Sequence, residues 1–541
     1  METNSHSPVS PSRTRVVVIT GAAGGIGREL VSGFTEDGYA VVAVDLAGSG
    51  VLALETSGDA RRAYECDVSR EAEIVAMFED IATRLGRVDA LINNAALGPT
   101  MASTVDTTLD SFKRALSVNL LGPFVLAREA ALRMKRGGVI VNVASLAGVL
   151  GNPRRNAYAA SKAGLISLTK SLACEWAARG LRVAAVAPGY VRTPMVAELE
   201  RSGKVDLTLV RRRIPMGRLA RPDEIASVAR FLASDAARYV TGAVFAVDGG
   251  WTSFNQPGDA HPPVTGTPEA ELARPPTPSG PRVVLVTGAA KGLGEAMARR
   301  FVEGGDIVVA ADRDQEGLAA LGRVLGEPIL ALEVDVTSED SVCALFARVR
   351  ERFGRLDVLI NNAGIADTFA PALDQRAADL EAVLDVNLTG AFLCAREAIR
   401  SMRPGGVIIN TGSINTFLPF APRHAYGASK AGVDILTRCL AAELGPAGVR
   451  IATIAPGYIR TSGVAELERS KRIDSQAIQR RIPMGDLGKP SDIAAAAFFL
   501  ASPAASYVNG SILYVDGGWT SFGAAGFASE PSQTPWDRAA S

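Results

Sequence analysis

Short apolar runs rich in β-branched residues recur along the first half of the chain: RVVVIT at 15–20, YAVVAVD at 39–45, DALINNA at 89–95, GVIVNVAS at 138–145, LRVAAVAP at 181–188 and AVFAVDGG at 243–250. Such continuous runs, bounded by Gly, Pro and Asn, predict strands covered on both faces. Longer helix-like segments such as SREAEIVAMFEDIATRLG at 69–86 separate them. This alternation predicts βαβ units and a mainly parallel sheet between two layers of helices.

The pattern is written twice. Tyr158 matches Tyr426 and Asp248 matches Asp516, both 268 residues on, whereas Gly21 matches Gly288 at 267, which one inserted residue between Asp45 and Asp67 explains. The prediction is therefore α/β, with two tandem Rossmann-type, doubly wound domains at 14–254 and 281–522. A Pro-rich linker at 255–280 would join them, and polar segments at 1–13 and 523–541 are expected to be disordered.

Composition narrows the possibilities. The 541 residues are 47% hydrophobic and 21% charged, and 57 Lys and Arg balance 57 Asp and Glu. This profile suits a soluble globular protein and offers neither nucleic acid nor a membrane surface an electrostatic reason to bind. No apolar run approaches the roughly 20 residues a bilayer needs, and the opening METNSHSPVSPSRTR is no secretory signal, so a cytoplasmic location is expected. Cys66, Cys174, Cys343, Cys394 and Cys439 lie far apart without CxxC spacing, which predicts buried, unpaired thiols and no metal site.

The first strand of each copy runs into a Gly-rich turn, TGAAGGIG at 20–27 and TGAAKGLG at 287–294. Such a turn brings backbone close to a pyrophosphate at a helix N-terminus. About 20 residues on, the second strand ends in Asp45 or Asp312, where a carboxylate accepts hydrogen bonds from ribose hydroxyls and repels a 2′-phosphate. NAD is therefore expected over NADP. In the second copy Lys291 and Arg313 leave a phosphate partner open.

Tyr158 and Lys162, and likewise Tyr426 and Lys430, are four apart and share a helix face. A tyrosine ordinarily ionises near pH 10; lowering that by about three units takes roughly 4 kcal/mol of preference for phenolate, which an adjacent ammonium and an oxidised nicotinamide together could supply. The Tyr would then accept an alcohol's proton. Ser145 and Ser413, each 13 residues before the Tyr, emerge at the carboxyl edge of the sheet, where a hydroxyl can hold the substrate oxygen.

With these motifs together, both copies resemble the short-chain dehydrogenase/reductase family over essentially their whole length. The resemblance implies a catalytic tetrad of Asn119, Ser145, Tyr158 and Lys162, repeated as Asn387, Ser413, Tyr426 and Lys430, with the Asn relaying protons through a water to the Lys. It implies cofactor contacts from Thr20, Gly21, Gly25, Ile26, Gly27, Asp45, Asp67, Val68, Asn94, Tyr158, Lys162, Pro188, Gly189, Val191 and Thr193. In the second copy these become Gly288, Gly292, Leu293, Gly294, Asp312, Asp335, Val336, Asn362, Tyr426, Lys430, Pro456, Gly457, Ile459 and Thr461. The family's NNAG segment stands at 361–364 but reads NNAA at 93–96 in the first copy, where the added methyl of Ala96 is expected to crowd the cofactor.

The resemblance implies an NAD-dependent oxidoreductase interconverting a secondary alcohol and a ketone at two active sites. The terminal VDGGWTSF of each copy tilts the substrate toward a small polyol, sugar or cyclic alcohol. The alternatives are a 3-oxoacyl thioester reductase of an acyl carrier and, in another class, a cofactor-sensing or scaffolding protein with one inactive copy. Asn415 against Ala147, and His424 against Asn156, predict a more polar second pocket if they face it. The Arg211–Arg213 and Arg480–Arg481 clusters read as solvated helix faces before an anion-steering patch. Family members pair through helices including the Tyr–Lys helix, so an intramolecular pseudo-dimer is expected, open to pairing of two chains.

Overall fold

The computed structural model describes residues 14–55, 61–263, 280–326 and 329–528. The termini 1–13 and 529–541 and the linker stretch 264–279, for which disorder or a linker was expected, lie outside the described residues.

Each copy builds a seven-stranded parallel sheet. In the first, β1 (Val16–Thr20), β2 (Ala40–Asp45), β3 (Arg61–Glu65), β4 (Val88–Asn93), β5 (Met134–Val143), β6 (Arg182–Pro188) and β7 (Val244–Val247) lie in the order β3-β2-β1-β4-β5-β6-β7. In the second, β8 (Val283–Thr287), β9 (Ile307–Asp312), β10 (Ile329–Glu333), β11 (Val358–Asn361), β12 (Val407–Thr411), β13 (Arg450–Pro456) and β14 (Ile512–Val515) repeat that order. The chain leaves β3 at one edge and returns to β4 beside β1, and this reversal opens a crevice at the carboxyl ends of the strands. Every residue of β1, β6, β8 and β13 is buried, which is why these strands are legible as unbroken apolar runs. The edge strand β3 is only half covered and keeps the polar sequence RRAYE.

Of the helices in the first copy, α1 (Gly25–Glu36) starts from the Gly-rich turn, and α2 (Glu71–Leu85) packs on α4 (Gly122–Arg133). α3 (Leu109–Leu116) continues into α4 through a π turn at Ser117–Leu121. The resulting helix, Leu109–Arg133, is long and apolar enough by length and composition to cross a membrane, although Asp110, Lys113, Arg114, Arg128 and Glu129 keep it from being one continuous apolar run. Here 56% of its most apolar window is buried inside the protein. α5 (Asn156–Trp176) carries Tyr158 and Lys162; α6 (Pro194–Arg201), α7 (Leu207–Arg213) and α8 (Pro222–Ala233) follow β6. The second copy repeats these helices, with Tyr426 and Lys430 on His424–Leu444. Cys66 and Cys394 are buried as expected, but Cys439 on this last helix is exposed.

The two copies pack against each other through α8, its counterpart Pro490–Leu500, and the turns leading into β7 and β14. Phe231 stacks on Phe499, centroids 3.7 Å apart. The hydroxyl of Tyr239 donates to the Asp486 carbonyl at 2.9 Å, and that of Tyr507 to the Arg218 carbonyl at 2.8 Å. Arg238 pairs with Asp492 at 2.6 Å, and Ser506 donates to Glu224 at 2.7 Å. The Tyr–Lys helices, expected to carry this contact, meet the other copy mainly at the turns Trp251–Ser253 and Trp519–Ser521. The VDGGWTSF segments serve the same contact: Gly249 N–H donates to the Tyr507 carbonyl and Gly517 N–H to that of Tyr239.

Candidate active sites

The Gly-rich turn can form only with glycine at two places. Gly21 adopts φ +65°, a left-handed conformation, and a Cβ on Gly27 would run into the Gly21 carbonyl. The side-chain amide of Asn94 braces the turn, donating to the Thr20 and Gly21 carbonyls at 3.0 Å each, and Thr20 Oγ1 accepts the Asn94 N–H at 3.1 Å. Asn362 repeats the brace on Thr287 and Gly288. These amide donors are spent on the protein, and through them both residues shape the turn.

At the far end, Asp45 accepts the N–H of Ala23 at 2.9 Å and of Leu46 at 2.8 Å; Asp312 accepts those of Ala290 and Asp314 at 3.0 Å each. Lys291 is drawn toward Asp314 at 3.8 Å, while Arg313 is exposed at the cavity wall. The N–H and hydroxyl of Thr337 hold the Asp335 carboxyl below its usual range.

The tetrads converge at the carboxyl ends of the central strands. Lys162 is 2% exposed; its ammonium donates to the Val143 carbonyl at 2.8 Å and lies 5.9 Å from the Tyr158 ring centroid. Lys430 does the same on Thr411 at 2.7 Å, and is 5.7 Å from the Tyr426 ring. Burial lowers the Lys162 ammonium to about 8. Burial also pushes the Tyr158 phenol above its ordinary value, although the Ser145 hydroxyl and the Arg155 charge pull it back. The lowered phenol pKa anticipated from the Tyr–Lys pair is thus not a property of the protein alone.

Asn119 occupies the π turn, and Asn387 the equivalent turn Asp385–Thr389. The widened turn aims the amide inward: Asn119 accepts the Leu97 N–H at 2.8 Å and donates to the Leu97 carbonyl and Ser161 hydroxyl. Ser145 Oγ accepts the Ala147 N–H at 3.1 Å, and Ser413 Oγ both accepts from Asn415 N and donates to Asn415 Oδ1.

In the second copy a cavity of about 820 Å³ runs from Asp312 and Asp335 past Gly288, Gly292, Leu293, Val336 and Asn362 to Ser413, Tyr426 and Lys430, closed by Pro456, Gly457, Ile459 and Thr461. Gly294 and Asn387 stand behind its wall. In the first copy Thr193 caps α6 through the Val196 N–H, and Val191 is buried.

The variable residues fall out differently from expectation in part. Asn415 is buried and lines the cavity, but His424 is exposed and does not. Arg213 lies over Trp251 and Phe254, Arg481 over Trp519 and Phe522, and Arg212 pairs with Asp259, so these cations brace the chain's return and are not solvated faces. That return includes residues expected to be linker or tail: Ala260 and Ala528 donate to the carbonyls of Arg212 and Arg480. Sequence reasoning overlooked Arg155 and Arg423, three residues before each Tyr, where no familiar motif marks them.

A doubly wound sheet with this crevice and duplicated Asn, Ser, Tyr and Lys defines a class of oxidoreductase that works on hydroxyl groups with a nicotinamide cofactor. Comparison with known proteins gives the family. A family model described as enoyl-(acyl carrier protein) reductase matches residues 21–252 and 288–520. A short-chain type dehydrogenase/reductase of Sinorhizobium fredii is 56% identical over 517 residues, 95% of this chain and 94% of that protein. A cis-4-hydroxycyclohexanecarboxylate dehydrogenase of Sinomonas cyclohexanicum is 44% identical over 244 residues, covering 44% of this chain and 96% of that one. A 3beta-hydroxysteroid dehydrogenase 1 of Eggerthella lenta is 43% identical over 249 residues, 44% of this chain and 94% of the other. The chain belongs to the short-chain dehydrogenase/reductase family, as two tandem copies.

Proposed function

We propose that the protein is an NAD-dependent oxidoreductase that interconverts a secondary alcohol and a ketone at two active sites, one in each copy. The observation that carries this reading is the duplicated constellation itself: Tyr158 and Lys162 beside Ser145 and Asn119, and Tyr426 and Lys430 beside Ser413 and Asn387. The residues fit a dinucleotide. The Gly21 and Gly288 turns would hold its pyrophosphate, Asp45 and Asp312 its ribose, and Thr193 and Thr461 its carboxamide. In the second copy, a volume of about 820 Å³ accommodates such a ligand with a small substrate. When bound, the oxidised nicotinamide supplies the hydride acceptor and a positive charge beside the phenol.

The Ser hydroxyl donates to the substrate oxygen and sets the carbinol against the Tyr. The Tyr oxygen takes the hydroxyl proton as the carbinol carbon gives up its hydride, and returns it in the reverse reaction. The buried Lys ammonium favours the phenolate, and the Asn amide would position the water that refills the proton.

A ring-borne secondary alcohol is the substrate class we favour, because the cyclohexanecarboxylate and steroid relatives are named for such alcohols. The two copies would act as a pseudo-dimer, supported by the stacked Phe231 and Phe499. Phe124 on α4 and its equivalent Phe392 stay exposed, which favours pairing of two chains. The test is turnover of cyclic ketones by wild type, Tyr158→Phe and Tyr426→Phe with NADH and NADPH. Each variant should retain only the other site's activity; full activity in both variants would refute the assignment. Turnover of acyl-carrier thioesters in preference to cyclic ketones would favour the acyl-carrier reading.

A further inference from the structure

The two pockets share one arginine and differ in what surrounds it. In the first copy Arg155 Nη2 donates to the Tyr190 hydroxyl at 2.6 Å, and the residue beyond Ser145 that could reach the substrate is Ala147. In the second, Arg423 has its guanidinium carbon 4.3 Å from the Tyr426 ring centroid and 4.9 Å from that of Phe369. Its Nε is buried and has no acceptor among the described residues.

Three neighbours have changed along with this rearrangement: Asn415 replaces Ala147, Phe369 replaces Met101 and Asp367 replaces Pro99. Phe369 keeps the left-handed backbone of Met101, φ 57° against 62°. Asp367 forms no ion pair with the arginine; its two oxygens accept the N–H groups of Phe369 at 3.3 Å and Tyr426 at 3.2 Å. Of the other charges near the substrate end, Arg469 pairs with Glu466 at 2.5 Å and the Lys430 ammonium is held by the Thr411 carbonyl beside the reactive Tyr. Asn415 Oδ1 takes the Ser413 hydroxyl at 3.3 Å, which leaves Nδ2 as a buried donor with no acceptor.

Arg423 and Asn415, each carrying one buried donor without an acceptor, thus line the same cavity as the reactive Tyr. Leaving a buried donor unpaired costs about 1–3 kcal/mol, so such groups point to an acceptor that arrives with a ligand. A guanidinium lying against aromatic rings keeps its N–H edge free for a planar acceptor, the geometry that fits a carboxylate. A doubly charged phosphate would call for a second free cation at this end. We propose that Arg423 and Asn415 form a carboxylate subsite, so that the second active site takes a hydroxy or oxo acid while the first takes a neutral alcohol.

The inference rests on the oxidoreductase reading for its substrate but can be tested apart from it by binding. Cyclohexanecarboxylate and cyclohexanecarboxamide are titrated calorimetrically into the full chain saturated with NAD. The carboxylate should bind once per chain and at least about tenfold more tightly than the carboxamide. Arg423→Leu and Arg423→Lys should each remove that preference, Asn415→Ala should reduce it, and His424→Ala should leave it intact. NAD titration of every variant reports that the fold is retained. Equal binding of the two probes, no saturable binding of either, or an undiminished preference in folded Arg423→Leu and Arg423→Lys proteins would overturn the subsite. Carboxylate binding with no turnover of 4-oxocyclohexanecarboxylate or its methyl ester would instead count against the oxidoreductase reading of this copy.

Discussion

Phe231 and Phe499, equivalent residues of the two copies, stack face to face with ring planes 1° apart. Only residues on a local two-fold axis meet their own counterparts in this way. Both rings are buried, so Phe231→Ala together with Phe499→Ala should cost about 3–5 kcal/mol or more. The urea midpoint should fall well below that of wild type. Both active sites lie away from the stack, so turnover in native buffer should change little.

Gly364 faces the tetrad: a Cβ there would lie 3.2 Å from Asn387 Oδ1 and 3.6 Å from Lys430 Nζ. The first copy carries that methyl as Ala96. Gly364→Ala in a Tyr158→Phe background should lower the second site's kcat by about tenfold. Ala96→Gly in a Tyr426→Phe background should raise that of the first. Steady-state kinetics with one ketone checks both, and unchanged rates would remove Ala96 as the cause of any difference between the sites.

Burial lowers Lys162 to about 8 in the folded protein, whereas an unfolded lysine titrates near 10.4. Below pH 8 both states carry the proton and the cost of the buried charge is fully present. Between about pH 8 and 10.4 only the unfolded state holds it, so stability contributed by this site rises with pH. Lys162→Met removes the charge. It should abolish first-site turnover yet stabilise that copy at pH 7 by up to about 3 kcal/mol, a gain that fades toward pH 10. Thermal melts at pH 7, 8.5 and 10 test the trend, and a destabilisation independent of pH contradicts it.

The ribose end should discriminate cofactors unequally. Asp45 is followed by Leu46, but Asp312 is followed by the exposed Arg313. Asp45→Ser should raise the first site's KM for NADH by about tenfold and improve NADPH use. Arg313→Leu should lower whatever NADPH turnover the second site has and spare NADH. Paired KM measurements with the two cofactors decide it, and an unchanged ratio after Asp45→Ser would show that this carboxylate does not select.

The central strands were legible because burial on both faces writes them as unbroken apolar runs, as in VVVIT and VVLVT. The edge strand β3 was not, since a half-solvated strand keeps polar residues. The π turn beneath Asn119 also escaped notice, for one extra residue in a helical turn leaves the surrounding pattern almost unchanged. Of the two residues whose facing the spacing left open, Asn415 lines the pocket, whereas His424, only nine residues on, points to solvent at the start of its helix.

What the sequence by itself determined is local and periodic: the duplication, the alternation of strand and helix, the Gly-rich turns and the four-residue step from Tyr to Lys. The duplication shows as a constant offset and the others depend on neighbours within a few turns of chain, so spacing is enough to show each. Only the tertiary structure decided which helices join the copies and what a shared arginine does. Arg155 and Arg423 are the same residue at the same place in the motif. One donates to Tyr190 and the other lies against Phe369 as well as its neighbour Tyr426, because Tyr190 and Phe369 come from segments tens of residues away.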